Sequence, residues 1–108
     1  MTRQIVNINN IDIGILRQTI HERMPELRRR YGIKSLGIFG SYVHGCQTKR
    51  SDIDLLVEFD NQVTVTLIGF VALERELVSL LGRRVDLVER DTLKPAIGRR
   101  ILAEVVPI

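Results

Sequence analysis

Apolar residues recur along this chain at two spacings, and the switches between them mark out its elements. Ile13, Leu16, Ile20, Met24 and Leu27 lie three or four residues apart, the stripe of an amphipathic helix. Asn10 can cap that helix ahead of Ile11. Pro25 falls inside it and, lacking an amide donor, should kink or restart it. Gly32 is placed to stop it. From Ser35 to Phe39 the period shortens to two, with Leu36 and Ile38 on one face of a short strand. Residues 40–50 are polar and read as a turn region. Asp52 to Phe59 is a second strand, with Ile53, Leu55, Val57 and Phe59 facing one way. After a loop at Asp60-Asn61-Gln62, residues 64–81 return to helical spacing. Leu67, Val71, Leu77 and Leu81 are among the buried positions expected there, and Gly82 is the stop. Arg84 to Glu89 is a third strand, in which Val85 and Leu87 share a face and Asp86 points the other way. A last helix runs from Leu93 or Pro95 to Glu104, a proline being tolerated near the first turn. Ile97, Ile101, Leu102 and Val105 form its apolar stripe. The order α-β-β-α-β-α predicts an α/β domain with a small mixed sheet packed by helices. Its first two strands are close enough to pair as an antiparallel hairpin with a long loop.

Composition narrows the classes without naming one. The chain has 108 residues, enough for one domain with one core, preceded by a polar lead-in over residues 1–10. Hydrophobic residues make up 44%, so the chain can fold. Aromatics are 5% and Trp is absent, which weakens any reading that needs base-stacking platforms; nucleic-acid binding is not expected of this chain alone. The net charge is +3, carried mostly by arginine in runs at 28–30, 83–84 and 99–100. Such runs are solvated helix faces or element ends before they are anion sites. Cys46 is the sole cysteine, so no intramolecular disulfide forms, and a free thiol fits a reducing cytoplasm. His44 is too close in sequence to be read as a base for that thiol. No apolar stretch reaches the roughly 18 residues of a membrane span, and the N-terminus lacks a signal pattern.

Three acids change the picture. Asp52 and Asp54 are spaced i, i+2 at the mouth of the second strand and project together. Two carboxylates on one face repel by about 1 kcal/mol at 4 Å in water and about 4 at an effective dielectric of 20. A fold that needs such a pair usually supplies a cation, and carboxylate oxygens beside a polyphosphate suit Mg²⁺. Asp86 is the third acid, on a strand whose apolar residues face away from it. If that strand lies beside the second, all three carboxylates share one surface. They can then hold two hard cations, and Asp86 can take a proton from an attacking hydroxyl. Gly40-Ser41 precedes the acid pair by ten residues. Gly lets the backbone approach closely, and the amide and the Ser hydroxyl can donate to phosphate oxygens. Lys49 and Arg50 can add charge at a triphosphate.

Each part has a plainer reading alone: Gly-Ser as a turn, Asp-x-Asp as a strand end or cap, Asp86 as an exposed strand residue. Their joint occurrence favours a site. The apolar run follows the Asp pair, which argues against an aspartyl nucleophile of the haloacid dehalogenase type. The phosphate loop Gly-x-x-x-x-Gly-Lys-Ser/Thr is absent.

The stretch GSYVHGCQTKRSDIDLLVEF resembles the Gly-Ser, ten residues, Asp-x-Asp signature of the polymerase-beta-like nucleotidyltransferases. The stretch LGRRVDLVERDTLKPAIGRRILAEVVPI resembles the C-terminal half of their minimal (MNT) subfamily. The likeness covers about residues 12–108. It implies a mixed-sheet α/β fold and Mg²⁺-dependent transfer of a nucleoside monophosphate from an NTP to a hydroxyl. By that likeness Asp52 and Asp54 are metal ligands, Asp86 is the third carboxylate, and Gly40-Ser41 is the phosphate turn. It also implies ATP as substrate and a partner that completes the acceptor site. In such pairs the minimal enzyme is the antitoxin that attaches AMP to a tyrosine of a HEPN ribonuclease toxin. Two alternatives stand beside it: an antitoxin that neutralises by binding alone, and a transferase acting on a small molecule or an RNA end.

Overall fold

Asp12, and not Asn10, opens the first helix in the computed structural model, which describes residues 12–108. The Asp12 side chain accepts from the Ile15 amide at 2.9 Å, satisfying one of the orphan donors of a helix start. Asn10 and Ile11 lie outside the described residues. The helix, α1, spans Ile13–Tyr31 and continues through Pro25 without restarting. The carbonyl that Pro25 leaves without its usual partner is that of His21, which is exposed to water. Gly32 stops α1 in the left-handed conformation, φ 68°, with its amide bonded to Arg28 O.

Four further elements follow the expected order. Strands β1 (Ile33–Phe39) and β2 (Ile53–Phe59) pair antiparallel, helix α3 spans Leu67–Leu81, and β3 (Val85–Glu89) pairs parallel to β2. Between β1 and β2, the region read as all turn contains a one-turn helix, α2 (Ser41–His44). Tyr42 on α2 is 3% exposed, so the turn is pinned by burial that local polarity does not reveal. The last helix, α4, spans Pro95–Glu104, and a two-residue strand not foreseen in the pattern, β4 (Val106–Pro107), pairs with Gly37 and Ile38 of β1. The sheet order is β3-β2-β1-β4.

Period-two alternation gives this sheet two unlike faces. Leu36, Ile38, Ile53, Leu55, Val57, Val85 and Leu87 join Leu16, Ile20, Met24 and Leu27 of α1 and Leu73, Leu77 and Leu81 of α3 in one core. The opposite face carries Asp54, Leu56 and Glu58 of β2 with Asp86 and Val88 of β3. Leu102 and Val105, at the end of α4, lie with Leu56 beside a small cleft on this second face.

The buried line of α3 is Leu73, Leu77 and Leu81, with Phe70 packing 6.4 Å from Phe59. Leu67 and Val71, expected inside, are exposed, and Leu67 is 79% accessible. Both are rotated around the helix away from the Leu73-Leu77-Leu81 line. Ile97 and Leu102 of α4 are exposed as well.

Candidate functional site

The acid-bearing face is assembled at the start of β2. Phe39, the last residue of β1, pairs with Asp54, and Asp54 pairs with Asp86 across the parallel ladder. The chain then turns away from the sheet at Gly40, whose φ of 77° and ψ of −147° suit a residue without Cβ. A Cβ built there would sit 2.1 Å from Asp54 Oδ2. The backbone of Gly40 therefore lies against the Asp54 carboxylate, and Ser41 follows at once. Gly40, Asp54 and Asp86 are brought together, with Ser41 next in the chain.

Asp54 carries the electrostatic cost of this arrangement. Its pKa is pushed up to about 6, first by burial, then by the charges of Asp86 and Asp52, and last by Glu104. Asp52 stands just outside β2 and forms an ion pair with Arg84, Nε to Oδ1 at 3.1 Å. Both partners are substantially exposed, so the pair adds little stability. It does set the direction of Asp52. Among the described residues no three His, Cys, Asp or Glu side chains close around one metal position.

Lys49 and Arg50 sit in the loop before β2 with exposed side chains. Their carbonyls are held instead: Arg83 donates to Lys49 O and Arg84 to Arg50 O, each at 3.2 Å. The Arg83-Arg84 run is thus a tether for the loop that delivers Asp52. Cys46 is exposed, with Sγ 3.8 Å from Ser41 O.

Two residues were missed from sequence. His44 Nε2 lies 2.5 Å from Glu104 Oε2, joining the last residue of α2 to the last residue of α4. Sixty positions separate them, and no local pattern links them. One signal was available: Gly37, in mid-strand, marks a close approach. A Cβ there would meet Val105 Cγ2 at 2.4 Å, which is how the end of α4, and Glu104 with it, reaches the site.

The comparisons with known proteins agree with this architecture. The model for the nucleotidyltransferase domain matches residues 21–108. The chain is 46% identical over 88 residues to protein adenylyltransferase MntA of Thermococcus cleftensis, covering 82% of this chain and 85% of that protein. It is 38% identical over 95 residues to a Methanocaldococcus jannaschii protein described as an adenylyltransferase of the same kind, covering 87% and 95%. A solved minimal nucleotidyltransferase superposes with a TM-score of 0.75 at 34% identity, over 92% of this chain and 98% of that one. A solved toxin–antitoxin with AMP-PNP superposes with a TM-score of 0.65 at 26% identity, over 80% and 69%. Such matches, over a sheet that sets Gly40 and Asp86 on either side of Asp54, make this chain a member of the minimal nucleotidyltransferase family.

Proposed function

We propose that this nucleotidyltransferase moves AMP from ATP to a tyrosine hydroxyl of a partner HEPN ribonuclease toxin and so neutralises it. The observation that carries the chemistry is the contact of Gly40 with Asp54 in register with Asp86. It puts a turn able to donate to phosphate beside two carboxylates on one sheet face. The protein partner rests on the 46% identity to a protein adenylyltransferase and on the toxin–antitoxin fold match.

The donor set fits Mg²⁺: hard oxygens only, in a group where burial and then mutual repulsion raise the Asp54 pKa. Asp54, Asp86 and Asp52 would hold the metal, Asp52 leaving Arg84 to do so. Bound there, Mg²⁺ supplies charge neutralisation for a triphosphate. Ser41 and its amide would donate to phosphate oxygens, and Lys49 and Arg50, on the loop before β2, would add charge. In the transfer, the acceptor oxygen forms a bond to the α-phosphorus, the bond from that phosphorus to the bridging oxygen breaks, and pyrophosphate leaves. Asp86 would take the hydroxyl proton.

Labelled ATP, Mg²⁺, this chain and its gene-neighbour protein test the reading. Label should move to the neighbour with the wild type and not with Asp54→Asn. No transfer by either would sink it. A second reading, neutralisation by binding alone, is favoured by Leu67 and Ile68, 79% and 83% exposed at the sheet end remote from Asp54. Full protection of cells by Asp54→Asn at equal expression would establish that reading instead.

A further inference from the structure

The pair of His44 and Glu104 closes a ring beside the candidate site. The ring begins in β1, which runs into Gly40 and then α2. On α2 the amides of Val43 and His44 bond to Gly40 O at 3.0 and 3.2 Å, and Tyr42 is buried beneath. His44 meets Glu104. From Glu104 the chain passes to Val105, packed where Gly37 has no side chain, and into β4, which returns to β1 through Gly37 and Ile38. Ile108 N adds a bond to Leu36 O at 3.0 Å, and Arg17 Nε bonds to Pro107 O at 3.0 Å. The other links are chain, ladder and packing; the side-chain pair joins the two ends.

An acid here is costly on charge alone. Glu104 is near enough to Asp54 to help raise its pKa, and a fourth carboxylate beside a triphosphate repels it. Contribution to stability does not explain it either, since the His44 and Glu104 side chains are 57% and 28% exposed. Its location does: it braces the turn that Gly40 and Ser41 open.

We propose that the His44–Glu104 pair is a positioning element for nucleotide, holding the Gly40-Ser41 turn in register with Asp54 and Asp86 so that the triphosphate is seated against both. This rests on the nucleotidyltransferase reading above. Charge and position predict opposite signs for one substitution. If Glu104 acts through charge, Glu104→Ala tightens nucleotide binding; if it acts through position, the same change weakens it.

Titration calorimetry with AMP-PNP and Mg²⁺ on the full chain decides between them. Glu104→Ala and His44→Ala should each raise Kd about fivefold, the worth of one partly exposed pair. The double variant should be no worse than the weaker single, because both changes cut the same link. Glu104→Gln, which can still accept from the imidazole, should stay within about twofold of wild type. Midpoints of thermal unfolding should shift by no more than about 2 °C. Tighter binding by Glu104→Ala, or losses that multiply in the double variant, would overturn the proposal. So would alanine variants that bind as wild type does. A wild type that binds no nucleotide would remove the nucleotidyltransferase reading itself, a result distinct from all of these.

Discussion

Asp54→Asn should make the metal-free protein more stable at neutral pH while removing its chemistry. Asp54 has an ordinary pKa of 3.8 and one of about 6 in the fold. Between those values the folded state holds a proton that the unfolded chain has released. Stability therefore falls as pH rises through this window, and above about pH 6 the fold carries an ionised carboxylate that it disfavours. A shift of that size is worth about 3 kcal/mol at full strength. Asp54 is only partly buried, and screening by water reduces the figure to roughly 1–2 kcal/mol. Asn keeps the shape and removes the charge. It also leaves intact the space that Gly40 opens for the side chain.

The assay is urea unfolding of both proteins in chelator at pH 4, 5, 6 and 7.5. The quantity to follow is the difference between them, because ion pairs remote from Asp54 cancel in it. That difference should be near zero at pH 4 and grow to roughly 1–2 kcal/mol in favour of the Asn variant by pH 7.5. Excess Mg²⁺ should then stabilise the wild type more than the variant, since a ligand that prefers the fold raises its stability. An Asn variant less stable than wild type at pH 7.5 in chelator would refute the reasoning, as would a difference independent of pH.

The two glycines that fix the site give sharper, local tests. Gly40→Ala places a Cβ 2.1 Å from Asp54 Oδ2 in a backbone region that favours glycine, so a loss of about 2–4 kcal/mol is expected in urea unfolding, with AMP transfer abolished. Gly37→Ala drives a Cβ to 2.4 Å from Val105 Cγ2 and should cost about 1–3 kcal/mol. Hydrogen exchange should show the β1–β4 bonds opening first, and protection there equal to wild type would count against the packing described.

Period explains what the sequence revealed and what it concealed. The α1 stripe, the alternation of β2 and the outward placement of Asp86 are local facts, each legible within one turn or one strand. Their convergence needed the parallel pairing of β3 with β2, which a helix between two strands makes the expected topology. Helix α2 and strand β4 were not legible because neither is long enough to have a period. One exists because Gly40 turns the chain and Tyr42 is buried, the other because Gly37 lets Val105 in. The exposure of Leu67 was hidden for a related reason: α3 is apolar on more than one side, and periodicity does not say which apolar stripe faces the core. Gly40 shows the same limit within the motif itself. Its sequence context marks a close backbone approach without saying to what, and a phosphate is the natural guess. The structure gives Asp54 Oδ2 as the neighbour, so the glycine serves the acid before it serves any ligand. A substitution there would displace the carboxylate and the turn together, which ties the two halves of the signature into one mechanical unit.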